Sequence, residues 1–191
     1  MTENKSTIWY STLKKSKGTY NIGPLRNALA GHSFSLECPV PPFGGAGDYD
    51  ISQNGIVFVA KDPTISTANF TKTDLYYIPL KAFTESQAPS PQIIHTGNLK
   101  GYSNGPVFSP DGESVAFTRM KDIQYESDKP RLLRASITDT SNVQEFYETS
   151  DGEGGWDLRP EGITWSEDGE ELYVTAEVSL VILILICWVL S

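Results

Sequence analysis

The chain has 191 residues, with 24 Asp and Glu against 15 Lys and Arg, for a formal net charge of −9. Its 16 Gly and 12 Pro follow no short period and 39% of residues are hydrophobic, which excludes collagen-like and low-complexity chains and suits about one domain. The acidic balance repels phosphates, so nucleic acid is not an expected partner, and two cysteines exclude a disulfide scaffold or a cysteine-based zinc site.

Met1 to Ser6 is polar and no apolar stretch follows it, so no secretory leader is expected within this sequence. Lys14-Lys15-x-Lys17 reads as a short, solvated basic hairpin. His32, in the loop Gly31-His32-Ser33, and His95 are the two histidines. Neither has a second histidine at helical spacing, so no metal site is expected.

Three segments repeat along the chain. They are Asp50 to Val59, Val107 to Phe117 and Ile163 to Val174, and their serines, Ser52, Ser109 and Ser166, are each 57 residues apart. Each reads as strand, tight turn, strand. In Ser109-Pro110-Asp111-Gly112 the proline presets φ at the first central position, and Gly112 can take a positive φ where the next strand begins. Asn54-Gly55 and Asp168-Gly169 supply the same chemistry, and the flanks are β-branched and aromatic.

A third strand begins 23 residues after the turn serine, at Leu75 to Ile78 and again at Leu132 to Ala135. A fourth follows at Gln92 to His95 and at Val143 to Tyr147. Four short antiparallel strands at a fixed period describe propeller blades, lengthened here by loops at Pro63 to Thr73 and Lys121 to Lys129. A β-sandwich with regularly spaced turns is the competing architecture.

Asp48-x-Asp50-x-Ser52-x-Asn54 has calcium-loop spacing, but Gln53 stands where the loop needs glycine, so it reads as a strand entering its turn. Asp151 to Gly155 reads as an exposed, flexible loop between blades. Gly101-Tyr102-Ser103-Asn104-Gly105 satisfies G-x-S-x-G. A nucleophile elbow turns from strand into helix and is followed in the chain by its acid and histidine. Here Pro106 and a β pattern follow and both histidines precede Ser103, so no catalytic residue is assigned. Of two sequons, at Asn4 and Asn69, the second lies in a loop between strands and is the expected glycosylation site on a secretory route. Cys38 and Cys187 are not expected to form a disulfide.

Residues 178–191 are almost wholly apolar. The run is shorter than the roughly 20 residues of a membrane helix and has no basic flank, so no membrane span is expected. From Ser166 the third-strand count reaches only Val189. The run would instead add as a strand beside Leu172 to Ala176, leaving an uncharged apolar edge that favours self-association through residues 178–191.

The ordered set Pro41-Pro42-Phe43-Gly44-Gly45, Gly47 to Ser52, Val59-Ala60-Lys61-Asp62-Pro63, Pro106 to Gly112, Tyr125 to Lys129, Trp156-Asp157 and Trp165 to Gly169 resembles fungal secreted dipeptidyl-peptidase V, of the prolyl oligopeptidase family of serine peptidases. The resemblance runs from about Trp9 to Glu177, with Asp157-Leu158-Arg159-Pro160 a small departure and residues 178–191 a complete one. It implies an N-terminal propeller that caps an α/β-hydrolase domain carrying Ser, Asp and His, with peptide substrates, no cofactor and a secreted location. The expectation is therefore an all-β, incomplete β-propeller of about two and a half four-stranded blades after a leading strand segment. Residues 1–177 form the partial propeller and 178–191 an aberrant tail, and the chain lacks the catalytic triad. A free-standing interaction module and a small membrane-anchored protein are the alternatives. Closing a ring of four or more blades, or spanning a bilayer, would need more chain than is present.

Overall fold

The structure is a computed structural model and describes residues 5–30, 36–124, 127–178 and 181–188. His32, Asn4 and Tyr125-Glu126 lie outside the described residues. The all-β expectation is met. Among the described residues fifteen strands form five antiparallel sheets, none closed on itself, and the helical content is one 3-10 turn at Ala46–Asp48.

The N-terminal segment contains β1 (Trp9–Tyr10) paired with β4 (Arg26–Asn27), and between them the hairpin β2 (Leu13–Ser16) and β3 (Thr19–Ile22). That hairpin is the expected basic one, and all eight of its strand residues are exposed. Sheet I follows in the order β5 (Tyr49–Ser52), β6 (Gly55–Lys61), β7 (Thr73–Pro79), β8 (Gln92–Ile93). Sheet II has β9 (Ser103–Phe108), β10 (Ser114–Arg119), β11 (Arg131–Ser136), β12 (Val143–Glu145). Sheet III has β13 (Pro160–Trp165), β14 (Glu171–Val178), β15 (Val181–Trp188). The fourth strands are shorter than the sequence implies. His95 lies beyond the end of β8, and Tyr147 leaves the strand with a left-handed φ of 62°.

The sheets stack face to face, and the period-2 alternation of each strand divides its side chains between two interfaces. Ile56, Phe58, Ala60, Tyr76 and Ile78 face the N-terminal segment, meeting Ile8, Tyr10, Ala28 and Cys38. Val57, Val59, Leu75 and Tyr77 face sheet II, meeting Phe108, Val115, Phe117, Leu133 and Ala135. From the other side of sheet II, Ala116 and Leu132 meet Trp165, Leu172, Val174 and Cys187 of sheet III. This double burial explains why β6 reads as a continuous apolar run instead of alternating. Each large aliphatic side chain so buried stabilises the stack by about 1.5–3 kcal/mol.

The repeated turns carry matching hydrogen bonds. Ser109 Oγ donates to Asp111 Oδ1 at 2.6 Å and accepts from the Ser114 amide at 2.9 Å, while the Glu113 amide donates to Asp111 Oδ1 at 2.9 Å. One repeat later Ser166 Oγ donates to Asp168 Oδ1 at 2.6 Å and accepts from the Glu171 amide at 2.9 Å, while the Glu170 amide donates to Asp168 Oδ1 at 3.0 Å. Gly112 and Gly169 take φ of 69° and 76°, which a side chain would strain. The first turn is tighter, with Ser52 directly opposite Gly55. The turns also touch one another, since Asn54 Nδ2 donates to the Gly112 carbonyl at 3.0 Å.

Residues 178–191, separated as a tail in the sequence, contribute strand β15. It pairs with β14 along its whole length, from Val178 opposite Val181 to Glu171 opposite Trp188. Cys187 packs into the interface with sheet II, while Ile182, Ile184 and Ile186 face outward.

Candidate functional site

The first strands of the three sheets, β5, β9 and β13, lie side by side along one flank of the stack. The Phe108 amide of β9 donates to Asp50 Oδ2 of β5 at 2.8 Å, and Trp165 Nε1 of β13 donates to the Val107 carbonyl of β9 at 3.0 Å. Along this flank runs a groove made of two adjoining clefts of about 290 and 340 Å³ that share Asn104, Thr118, Pro160 and Glu161. Tyr102 and Arg159 line one end, and Tyr49 and Asp50 the other. Burial pushes the Tyr102 hydroxyl above its ordinary pKa, Asp48 adds to the shift and Arg159 opposes it. The groove thus offers a guanidinium, two carboxylates and an amide for hydrogen bonding.

The sequence contained a signal for this groove that the motif reading missed. Gly47, Asn104 and Glu161 are 57 residues apart, as are Tyr102 and Arg159, so equivalent repeat positions line the same flank.

Ser103 sits beside the groove but is fully buried. It opens strand β9, with no helix after it, and its Oγ accepts from Arg119 Nη1 at 2.7 Å. Arg119 also donates to Asp74 Oδ1 at 3.0 Å and to the carbonyls of Thr73 and Leu99 at 2.9 Å each. Lys72 extends this network to Asp62 at 2.5 Å and Asp74 at 3.3 Å. The Ser103 region is therefore a polar clamp between sheets I and II. A nucleophile elbow would instead present its hydroxyl to solvent at the start of a helix. His95 is exposed beyond the outer strand of sheet I, whereas Ser103 lies on an inner strand.

The remaining motifs have structural partners. Asp48 Oδ2 accepts from the Val40 amide at 2.7 Å, and Ser52 Oγ accepts from the Asn54 amide at 3.1 Å. No group of metal-ligating side chains occurs among the described residues. Cys38 and Cys187 are buried, free, and in different core clusters. Asp151 to Gly155 lies at the surface in a hydrogen-bonded turn. Thr149 Oγ1 donates to Asp151 Oδ1 at 2.6 Å and accepts from the Gly154 amide at 2.8 Å, reproducing the serine-aspartate turn. Asn69 is exposed in the β6–β7 loop, and its carbonyl accepts from Gln124 Nε2. No helix among the described residues is long and apolar enough to cross a membrane.

No family model matches the chain. Among curated proteins, it is 37% identical over 186 residues to the probable dipeptidyl-peptidase 5 of Aspergillus clavatus, covering 93% of this chain and 24% of that protein. It is 35% identical over 182 residues to dipeptidyl-peptidase 5 of Trichophyton equinum, covering 90% and 23%. It is 36% identical over 180 residues to dipeptidyl-peptidase 5 of Aspergillus fumigatus, covering 90% and 24%. The resemblance to fungal dipeptidyl-peptidase V is thereby shown over nine-tenths of the chain. The chain spans about a quarter of the length of the relatives it matches.

Proposed function

We propose that this chain is propeller sequence of a secreted dipeptidyl-peptidase 5-like serine peptidase, and that it forms part of the wall past which peptides reach a hydrolase domain. The reading rests on one conjunction: nine-tenths of the chain matches these peptidases, and the matched part amounts to a quarter of each. The stack supports it. Sheets I and II have four strands in sequence order, as blades do, and the first strand of each sheet borders a common groove. In this reading sheet III is a blade completed only to its third strand, by β15. The groove along β5, β9 and β13 is the axial surface, with Arg159, Glu161, Asp50 and Asn104 as polar contacts for a passing peptide. Cleavage of dipeptides from peptide N-termini belongs to the hydrolase domain, and the chain alone is inactive. Asn69 carries glycan in the secreted protein, and no cofactor is needed.

The test is a chimera. Residues 9–177 replace the matched stretch of the Aspergillus clavatus protein, and the product is assayed on dipeptidyl chromogenic substrates beside the chain alone. A secreted, active chimera and an inactive isolated chain are expected. Activity in the isolated chain that Ser103→Ala abolishes would overturn the proposal.

A further inference from the structure

Sheets I and II end in very short outer strands, β8 with two residues and β12 with three. Short edges of this kind limit pairing with other chains. Sheet III differs. Its outer strand β15 has eight residues, all uncharged and without proline. One edge is taken by β14, and among the described residues no strand pairs with the other. Its outward side chains, Ile182, Ile184 and Ile186, are 74%, 65% and 54% exposed, and Tyr173 continues the apolar face on β14.

The identity of the partner is written in the strand. Residues 181–187 read Val-Ile-Leu-Ile-Leu-Ile-Cys, which is nearly palindromic about Ile184. An antiparallel pairing of two identical strands about a twofold axis at Ile184 sets Ile184 opposite Ile184, and Ile182 opposite Ile186 at both flanks. Every outward isoleucine then meets an isoleucine, on strands about 4.7–4.9 Å apart. The charged residues Glu171 and Glu177 belong to β14, one strand further from the axis, so the two paired strands themselves carry no charged side chain. A second copy therefore satisfies the free backbone edge and the apolar stripe together, in an isologous interface that closes at two chains.

We infer that two copies of this chain associate through their β15 edges, antiparallel about Ile184, into one continuous six-stranded sheet. The inference does not depend on the peptidase reading.

Sedimentation velocity of the whole chain over a range of concentrations should show a monomer–dimer equilibrium. Ile184→Lys places two ammonium groups face to face at the axis and should give monomer throughout. Ile184→Cys keeps a small, weakly polar side chain, so it also serves if the lysine variant fails to fold. Two thiols directly opposite lie within disulfide reach, so under mild oxidation this variant should become a covalent dimer. Ile51→Cys is the control, on the exposed face of β5, and should not cross-link. The native cysteines are buried and do not compete. A monomer at every concentration would overturn the inference. So would a dimer or larger aggregate that persists in Ile184→Lys, or Ile184→Cys cross-linking no better than Ile51→Cys.

Discussion

The sharpest test of the stacked-sheet architecture is Asp74→Ala. Asp74 is the second residue of β7 on sheet I and Arg119 closes β10 on sheet II, and the pair joins the sheets at the end away from the serine turns. Arg119 is 3% exposed and Asp74 is 5% exposed. Burial lowers the Arg119 pKa, and the carboxylate of Asp74 is the chief influence opposing that. Removing Asp74 leaves Arg119 with the Ser103 hydroxyl and two carbonyls as acceptors, and no anion at contact distance. Lys72 loses less, since Asp62 still holds it at 2.5 Å. Breaking a buried pair from one side costs about 3–5 kcal/mol, because the remaining charge stays desolvated. That is a large share of the roughly 5–15 kcal/mol of a whole domain, and at about 2–4 °C per kcal/mol it lowers Tm by about 6–20 °C. Urea unfolding followed by tryptophan fluorescence and far-UV circular dichroism measures it. The control is Glu153→Ala, which breaks the exposed Lys121–Glu153 pair and should change nothing measurable. If Asp74→Ala behaves like Glu153→Ala, the clamp does not hold the sheets together and the reasoning fails.

Acid should destabilise the chain through its turn aspartates. The Asp111 carboxyl sits below its usual range because the Ser109 hydroxyl and the Glu113 amide donate to it. Its stabilising contribution is therefore complete above the unfolded value of about 3.9 and is lost as pH falls through the lower folded value. Urea midpoints between pH 6 and 3 should fall less steeply in Asp111→Asn, and parallel curves would contradict this. Burial, with Asp48 beside it, pushes the Cys38 thiol up to about 12, so the native chain should resist thiol reagents at neutral pH and react only when unfolded. Native labelling of Cys38 would place it outside the core. When the full-length protein is expressed through a eukaryotic secretory route, Asn69→Gln should remove one glycan by mass spectrometry, and an unmodified Asn69 would contradict the exposed loop.

The strands legible in the sequence were those whose neighbours lie close in the chain. Turn chemistry at Ser109 to Gly112 and Ser166 to Gly169 fixes a hairpin from four residues, so those hairpins followed directly, whereas the register shifts at Ala116 to Thr118 and Pro160 to Gly162 had no such local signal. The fourth strands were overextended because Val143 to Tyr147 has strand composition throughout, while Tyr147 is drawn into a turn whose Gly155 amide donates to its carbonyl at 2.7 Å. The Thr149 turn was missed because glycine and acidic residues were read by composition instead of by spacing. Thr149-x-Asp151-Gly152-Glu153 has the same pattern as Ser109-x-Asp111-Gly112-Glu113. The Arg119 clamp had no local signal at all. Its partners lie 16 to 46 residues away, and only the packing of one sheet on the next brings them together.

The repeat also separates residues that hold the fold from residues free to act on something else. A side chain in a turn must satisfy the same backbone amides in the second and third copies, so Ser109 and Ser166 are alike, and so are Asp111 and Asp168. A side chain facing a neighbouring sheet must fill a fixed gap about 10 Å across, so those positions stay apolar except at the Asp74–Arg119–Ser103 clamp. On the flank of the inner strands Asp50 still serves backbone amides, but at two other sets of positions neither demand applies. There the equivalent positions hold Gly47, Asn104 and Glu161, and likewise Tyr102 and Arg159. Glycine, amide and carboxylate at one repeat position, and phenol and guanidinium at another, share no structural role that the packing requires. Their divergence within so regular a scaffold is what marks this groove, and not the buried Ser103 inside its G-x-S-x-G frame, as the surface free to contact something other than the fold.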